Sequence, residues 1–107
     1  MTGIDRERVF TALGDECRRQ LLDRLRLGNG QTLRELCQGL DITRQAVTKH
    51  LKVLEDADMV TTRRRGREKL HFLNPVPINS VAMRWLKEFD HVPLDALEFD
   101  KEAAAEK

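Results

Sequence analysis

The sequence predicts a mainly α-helical domain that carries one two-stranded β-hairpin. Four segments have apolar residues at helical spacing, and each follows a residue of the type that caps helices. Two β-favouring runs then flank Arg65-Gly66, a dipeptide suited to a hairpin tip. A wide apolar stripe begins after Asn74-Pro75 and predicts a closing helix. We therefore expect five or six helices and a single hairpin.

The first two helices are predicted from aspartate caps and apolar spacing. Asp5 is placed to cap a helix that ends at Gly14, and Asp15 to cap a second helix that stops at Gly28. The apolar residues of the second helix are Leu21, Leu22, Leu25 and Leu27. The arginines between them are expected to form a solvated face, although Arg18 and Arg19 could reach phosphates.

A short third helix and a tight turn come next. Thr32 and Glu35 have the spacing of a capping box, and the helix is expected to run through Leu40. Residues 39–43 form the connection, and Thr43 is placed to cap the fourth helix. A short capped helix, a tight turn and a helix with a buried stripe make the helix-turn-helix pattern.

The fourth helix is predicted to have one buried and one polar face. Val47, Leu51 and Leu54 lie on a single apolar stripe. The opposite face has no carboxylate before Glu55, and a DNA major groove accepts such a helix. The side chains expected to point outward are Gln45, Thr48, Lys49 and Lys52. An ordinary surface helix has a similar composition, so the neighbouring segments decide between the two interpretations.

The predicted hairpin is strongly basic. Residues 59–64 and 69–73 favour β-structure, and Glu68 is the one acidic residue beside five basic ones. A basic hairpin directly after a helix-turn-helix is a wing that can lie along a phosphate backbone. The alternative is an exposed hairpin that its arginines keep soluble.

The apolar face of the closing helix is too wide for a peripheral helix of so small a domain. Its members are Ile78, Val81, Ala82, Trp85, Leu86 and Phe89. We expect part of this face to pack on the body and part on another subunit. Leu94, Leu97 and Ala103–Ala105 suggest a further helix beyond Pro93. The expected division is a winged domain over residues 1–91 and an acidic helix or tail over residues 92–107.

Charge is distributed unevenly along the 107 residues, although the net charge is only +1. Residues 1–89 contain 17 basic and 12 acidic residues, whereas residues 90–107 contain 2 and 6. The acidic end therefore masks a basic body. Two cysteines provide no disulfide framework, and we see no leader or membrane-spanning run, so the expected location is the cytoplasm.

These segments together resemble the winged-helix repressors of the arsenic-repressor (ArsR) family. The similarity extends over residues 8 to about 90 and includes Phe10–Asp15 with Arg18, Arg19 and Leu22, then Leu33–Leu36, Val47–Glu55, Arg63–Arg67 and Leu73–Pro75. Its most specific block is His50-Leu51-Lys52-Val53-Leu54. The resemblance implies a dimeric DNA-binding regulator whose first and closing helices form the subunit interface.

The resemblance and the basic hairpin together predict three sets of contact residues. Base-reading residues would be Thr43, Arg44, Gln45, Thr48 and Lys49. Phosphate contacts would come from Lys52, Arg63, Arg64, Arg65, Arg67 and Lys69. Subunit contacts would come from Val9, Phe10, Val81, Trp85, Leu86 and Phe89.

The chain departs from the metal sensors of that family. Their third helix carries two cysteines one residue apart, but Gly39 follows Cys37 at that spacing here, and His91 lies only at the end of the closing helix. Because soft-metal sites need three or four convergent ligands, we expect no metal and no cofactor. A thiol or metal response through Cys17 and Cys37 remains an alternative. His71 is expected to face solvent and His50 to pack at a helix edge.

The leading hypothesis is a transcriptional repressor that binds a two-fold symmetric, double-stranded operator as a homodimer. A winged-helix module for protein–protein contact is the alternative from another class. An enzyme is not expected, because the sequence shows no nucleophile–base constellation, glycine-rich phosphate loop or sheltered carboxylate pair. No membrane partner is expected.

Overall fold

The computed structural model describes residues 3–96 and confirms the predicted order of elements. The first four helices are α1 (Arg6–Leu13), α2 (Glu16–Leu27), α3 (Leu33–Cys37) and α4 (Arg44–Asp56). The antiparallel hairpin consists of β1 (Val60–Arg65) and β2 (Glu68–Leu73). The closing helix, residues 76–91, contains a π-helical segment Ile78–Met83, an α-helical turn Arg84–Lys87 and a 3-10 turn Glu88–His91. A last 3-10 turn spans Leu94–Ala96, and the predicted helix beyond it lies outside the described residues.

The predicted helix caps are all present. In the capping box of α3, the Glu35 N–H donates to Thr32 Oγ1 over 3.2 Å, and the Thr32 N–H donates to Glu35 Oε1 over 2.9 Å. Side-chain caps of the same kind begin the other three helices at Asp5, Asp15 and Thr43. Helix α3 ends at Cys37 rather than Leu40. Two residues later the backbone turns at Gly39, whose φ of +77° suits a residue without Cβ.

The core lies where α1, α2, α3 and α4 meet the base of the hairpin. The predicted stripe of α4 is buried, with Val47 and Leu54 fully inaccessible and Leu51 2% exposed. Leucines 21, 25 and 36 and Met59 are also inaccessible, so α4 packs against every neighbouring element. Leu27 departs from the apolar pattern of α2, because 78% of it is exposed at the end of that helix. A core of this kind fixes the direction of the polar face of α4.

The hairpin turn lies one residue later than predicted. Val60 pairs with Leu73, and the register continues to Arg65 and Glu68, which leaves Gly66-Arg67 as the two-residue turn. Gly66 has a φ of +61°, as a turn with glycine at its first central position requires. Arg65 is therefore the last residue of β1, and Arg67 takes its place at the tip.

The base of the hairpin is tied to the loop between α2 and α3. His71 is only 4% exposed, so the prediction that it faces solvent is wrong. Its Nδ1–H donates to the Gln31 carbonyl oxygen over 2.9 Å, and the two backbones pair in both directions. Asn29 Oδ1 also accepts the N–H of Leu73 over 2.7 Å. These bonds fix the direction in which the hairpin leaves the body.

The closing helix divides into an inner and an outer part. Ile78, Val81 and the buried Ala82 pack against the body, as predicted for one part of the apolar face. Leu86 and Phe89 are 53% and 55% exposed. Within the described residues, no helix combines the length and apolar character that crossing a membrane demands.

Candidate nucleic-acid interface

The outer face of α4 presents polar side chains that remain available to a ligand. Gln45, Thr48 and Lys49 are all exposed, and in residues 3–96 the side chains of Arg44, Gln45 and Lys49 have no hydrogen-bond or ion-pair partner. The Thr48 hydroxyl donates to the Arg44 carbonyl oxygen over 3.0 Å, which leaves its oxygen as an acceptor. The buried stripe on the opposite side prevents α4 from turning this face inward.

The N-terminal end of α4 favours an anionic ligand. The Thr43 hydroxyl accepts the Ala46 N–H over 3.1 Å, and the first turn contains no acidic residue. Backbone N–H groups and the helix dipole make such an end attractive to phosphate. Thr43 therefore has a structural role as a cap, in addition to the base contact expected for it.

A cleft between α3, α4 and the hairpin is lined by basic side chains. Arg34, Arg44, Arg67 and Lys69 contribute to its walls, together with two glutamates. Arg34 was not among the predicted contact residues. The sequence pattern could have predicted this contact, because Arg34 directly follows the half-buried Leu33 and therefore lies on the outward side of α3.

The basic residues of the hairpin are not equally available. Arg65 is paired with Glu68 at 3.1 Å, and Arg63 lies over the Phe72 ring with 5.4 Å to its centroid. Lys69 lies 3.9 Å from a carboxylate oxygen of Glu55. Within the described residues, Arg64 and Arg67 have no such partner, and both are exposed. The two arginines are therefore the strongest candidates for phosphate contacts on the hairpin.

Lys52 is bonded within its own helix. Its Nζ lies 2.8 Å from Asp56 Oδ1, and this hydrogen bond raises the pKa of the ammonium group. Because the pair is exposed, solvent and salt screen it and it contributes little to stability. A phosphate contact by Lys52 would have to replace the carboxylate.

Comparisons with known proteins agree with this architecture. The helix-turn-helix domain family matches residues 13–63. The uncharacterised HTH-type transcriptional regulator YuzN of Bacillus subtilis (strain 168) is 40% identical over 89 residues, which cover 78% of this chain and 97% of YuzN. The transcriptional repressor SdpR of the same organism is 27% identical over 81 residues, which cover 76% and 88% of the two chains. The crystal structure of the ArsR family transcriptional regulator RHA00566 superposes with a TM-score of 0.70 at 31% identity, covering 78% of this chain and 84% of that one.

The chain belongs to the ArsR family. It is a transcriptional regulator with a winged helix-turn-helix DNA-binding fold, in which α3 and α4 form the helix pair and the hairpin forms the wing. This is a family of regulators rather than of known enzymes.

The outer part of the closing helix gives this ArsR-family chain an exposed apolar surface. The Trp85 ring packs edge-to-face on Phe10 and Phe89, with centroid distances of 5.3 and 4.9 Å, yet Trp85 remains 41% exposed. Leu86 extends the same surface. Val9, which was predicted to contact another subunit, is instead fully buried in the protomer core, because it lies on the inward side of α1.

A second polar cluster joins α2 to α4. Arg18 is half-buried rather than solvated: it donates to the carbonyl oxygens of Thr11 and Ala12 over 3.0 Å each, and its Nη1 lies 3.2 Å from His50 Nδ1. Since a guanidinium cannot accept, His50 Nδ1 is the acceptor, and its ring proton is on Nε2. Asp15 Oδ2 lies 3.8 Å from the same nitrogen.

Cys17 belongs to this cluster as well. One ligand atom each from Asp15, Cys17 and His50 lies within 4.8 Å of the others, so the expectation that no three metal-ligating groups converge is wrong. Burial raises the pKa of the Cys17 thiol, whereas the Arg18 backbone N–H lowers the pKa of Asp15. Cys37, the other free thiol, packs against the core and is not a member of the cluster. No local sequence pattern predicts this group, because His50 is remote from Asp15 and Cys17 along the chain.

Proposed function

We propose that this ArsR-family protein is a transcriptional repressor that binds a two-fold symmetric operator as a homodimer. The observation that carries the proposal is the exposed polar face of α4, where the side chains of Arg44, Gln45 and Lys49 have no partner among residues 3–96. Arg44 lines the same cleft as Arg67 of the wing. A repressor role is supported by the similarity to the repressor SdpR.

The proposed division of work follows from the available side chains. Gln45 and Lys49 would read base edges in the major groove, where a glutamine can pair with adenine and a lysine can reach guanine. Thr43, Arg44 and Thr48 would contact the same groove from the first turns of α4. Arg64 and Arg67, helped by the other basic residues of the wing, would contact phosphates and displace counterions.

The proposed subunit interface is the exposed surface of the closing helix together with Phe10. Large apolar side chains in contact with water, such as Leu86 and Phe89, are typical of a surface that another chain covers. Trp85 at the middle of this surface is the type of residue that dominates binding energy at interfaces. Val81 is half-buried against the core and would contribute at the edge.

We further propose that operator binding requires no metal ion. The support for this proposal is the sequence of α3 and the turn after it, where Gly39 follows Cys37 at the spacing at which the metal sensors of the family carry a second cysteine. A chelator should therefore leave operator affinity unchanged.

The proposal is tested by selecting bound sequences from random duplex DNA. We expect a two-fold symmetric site whose half-sites lie about one helical turn, roughly 34 Å, or a multiple of it apart. Sedimentation at micromolar concentration should show a dimer, and operator placed upstream of a reporter should lower expression when the protein is present. A protein that shows no preference among sequences, or is monomeric in both the free and bound states, would contradict the proposal.

A further inference from the structure

We propose that Asp15, Cys17 and His50 form a binding site for a zinc-like divalent ion between α2 and α4. The three ligand atoms already lie within 4.8 Å of one another, and they come from the N-terminal end of α2 with its cap residue and from α4. The site is separate from the DNA-binding face and from the exposed surface of the closing helix.

The ligand types select the class of ion. A thiolate and an imidazole are preferred by zinc and its neighbours in the transition series, whereas magnesium and calcium prefer oxygen ligands. Tetrahedral zinc has bonds of about 2.0–2.3 Å, which place adjacent ligand atoms roughly 3.3–3.7 Å apart. Asp15 Oδ2 and His50 Nδ1 are at 3.8 Å, so small side-chain rotations would complete the geometry.

The surroundings allow an ion to enter and to keep a solvent ligand. The side chains of Asp15 and His50 are 36% and 23% exposed, so the site is neither sealed nor fully hydrated. Cys17 also lines an open cleft between α2 and the turn that follows α3. With three protein ligands, the fourth tetrahedral position is left for water or an anion.

A bound ion would compete with Arg18 for the Nδ1 atom of His50. The Arg18 guanidinium now binds the Nδ1 lone pair of His50, and the ion would take over that lone pair while Arg18 keeps its two carbonyl partners, Thr11 and Ala12. The Cys17 thiol would release its proton to solvent on coordination. Because a fixed positive charge disfavours a second cation, we expect weaker binding than at closed structural zinc sites.

The test is a cobalt titration of the full-length, reduced protein without DNA. Cobalt takes the place of zinc and gives a strong absorption band when a thiolate coordinates it. We expect one cobalt ion per protomer, a thiolate band in the parent, and loss of the band on addition of zinc. Cys17→Ser should abolish the band, and Cys37→Ser, the matched control, should leave it unchanged.

A second pair of variants keeps both thiols. His50→Gln should weaken cobalt binding about tenfold or more, comparable to the effect of disturbing a ligand shell, whereas His91→Gln should have no effect. Circular dichroism verifies that each variant is folded. The proposal is overturned if the parent shows no thiolate band, if the band survives Cys17→Ser, or if His50→Gln binds as the parent does. Since no DNA is present, this result is independent of the proposed repressor function.

Discussion

The Arg18 guanidinium connects the C-terminal end of α1 to His50 on α4. It donates to His50 Nδ1 over 3.2 Å and to the carbonyl oxygens of Thr11 and Ala12 over 3.0 Å each. Helix α1 also supplies Phe10 to the proposed subunit surface, and α4 supplies the proposed base-reading face. One side chain thus joins the element proposed for dimer formation to the element proposed for reading DNA.

We expect Arg18→Gln to destabilise the protein by about 1.5–3 kcal/mol, because hydrogen bonds from a charged, half-buried donor are lost. Urea unfolding measures the change. Arg26→Gln is the matched control, since Arg26 is exposed and its partner within residues 3–96 is the exposed Asp23, and it should cost no more than about 0.5 kcal/mol. If the two substitutions lowered the free energy of unfolding equally, the hydrogen bonds of Arg18 would contribute no more to stability than an exposed ion pair does.

Replacing Arg64 and Arg67 together by alanine should weaken binding to operator and to random DNA by the same factor. The reason is that phosphate contacts carry no sequence information and act by displacing counterions. The slope of log affinity against log salt should fall by roughly one unit for each lost contact. Arg84→Ala with Lys87→Ala on the closing helix removes the same charge and should leave the slope nearly intact. A loss restricted to one operator sequence would instead mean that the wing reads bases.

Gln45→Ala should relax the preference for one base in each half-site. A bidentate glutamine–adenine contact contributes about 1–3 kcal/mol of discrimination. Gln45 is exposed, so the unfolding midpoint should not change. Selection from random DNA gives the measurement, and Gln20→Ala on the exposed face of α2 serves as the control. Identical selected sequences for Gln45→Ala and the parent would remove Gln45 from the reading face.

Leu86→Glu should convert the dimer to a monomer and lower operator affinity. A carboxylate placed in an apolar interface would have to lose its hydration without a partner. Leu86 is 53% exposed in the protomer, so the fold itself should tolerate the change. Lys87→Gln alters the net charge by the same amount one residue away and should preserve the dimer. Sedimentation equilibrium distinguishes the outcomes, and a dimer that survives Leu86→Glu places the interface elsewhere.

The capping box of α3 predicts that part of the free energy of unfolding is lost at acid pH. The Thr32 backbone N–H and hydroxyl hold the pKa of Glu35 below its ordinary value of 4.5. The pKa of Glu35 is lower in the folded state than in the unfolded state. The contribution of the ionised Glu35 to folding stability is therefore complete above about pH 4.5, and it is lost as the pH falls through the folded-state pKa. Glu35→Gln keeps the hydrogen-bond acceptor but cannot titrate, so the urea midpoint of this variant should vary less between pH 6 and pH 3 than that of the parent.

The helix starts could be predicted from the sequence because their signals are local. Thr32 and Glu35 are three residues apart, and Thr43 caps the N–H of Ala46 at the same separation. The buried stripe of α4 was predictable for a related reason, since helical geometry alone places Val47 and Leu51 on one side. The same argument predicts the exposed outer face of α4, so most of the residues proposed to contact DNA could be predicted without tertiary contacts.

The failures concern contacts between segments that are distant in the chain. His71 was expected to face solvent, but its partner is Gln31, 40 residues earlier. Nothing in the periodicity of the first helix distinguished the buried Val9 from the half-buried Phe10. Arg18, Cys17 and His50 likewise meet only because α2 packs on α4. Such contacts depend on how the helices are arranged, which apolar spacing does not specify.

The π-helical segment Ile78–Met83 determines how the rest of the closing helix is rotated about the helix axis. Its hydrogen bonds join residues five apart instead of four, so it holds more residues per turn than the α-helical turn Arg84–Lys87. If the same residues formed an uninterrupted α-helix, Leu86 and Phe89 would be rotated by roughly 100° about the helix axis, the turn of one residue. The π-helical segment therefore determines the direction in which the exposed apolar surface points. It thereby determines the angle at which two copies of the chain would meet.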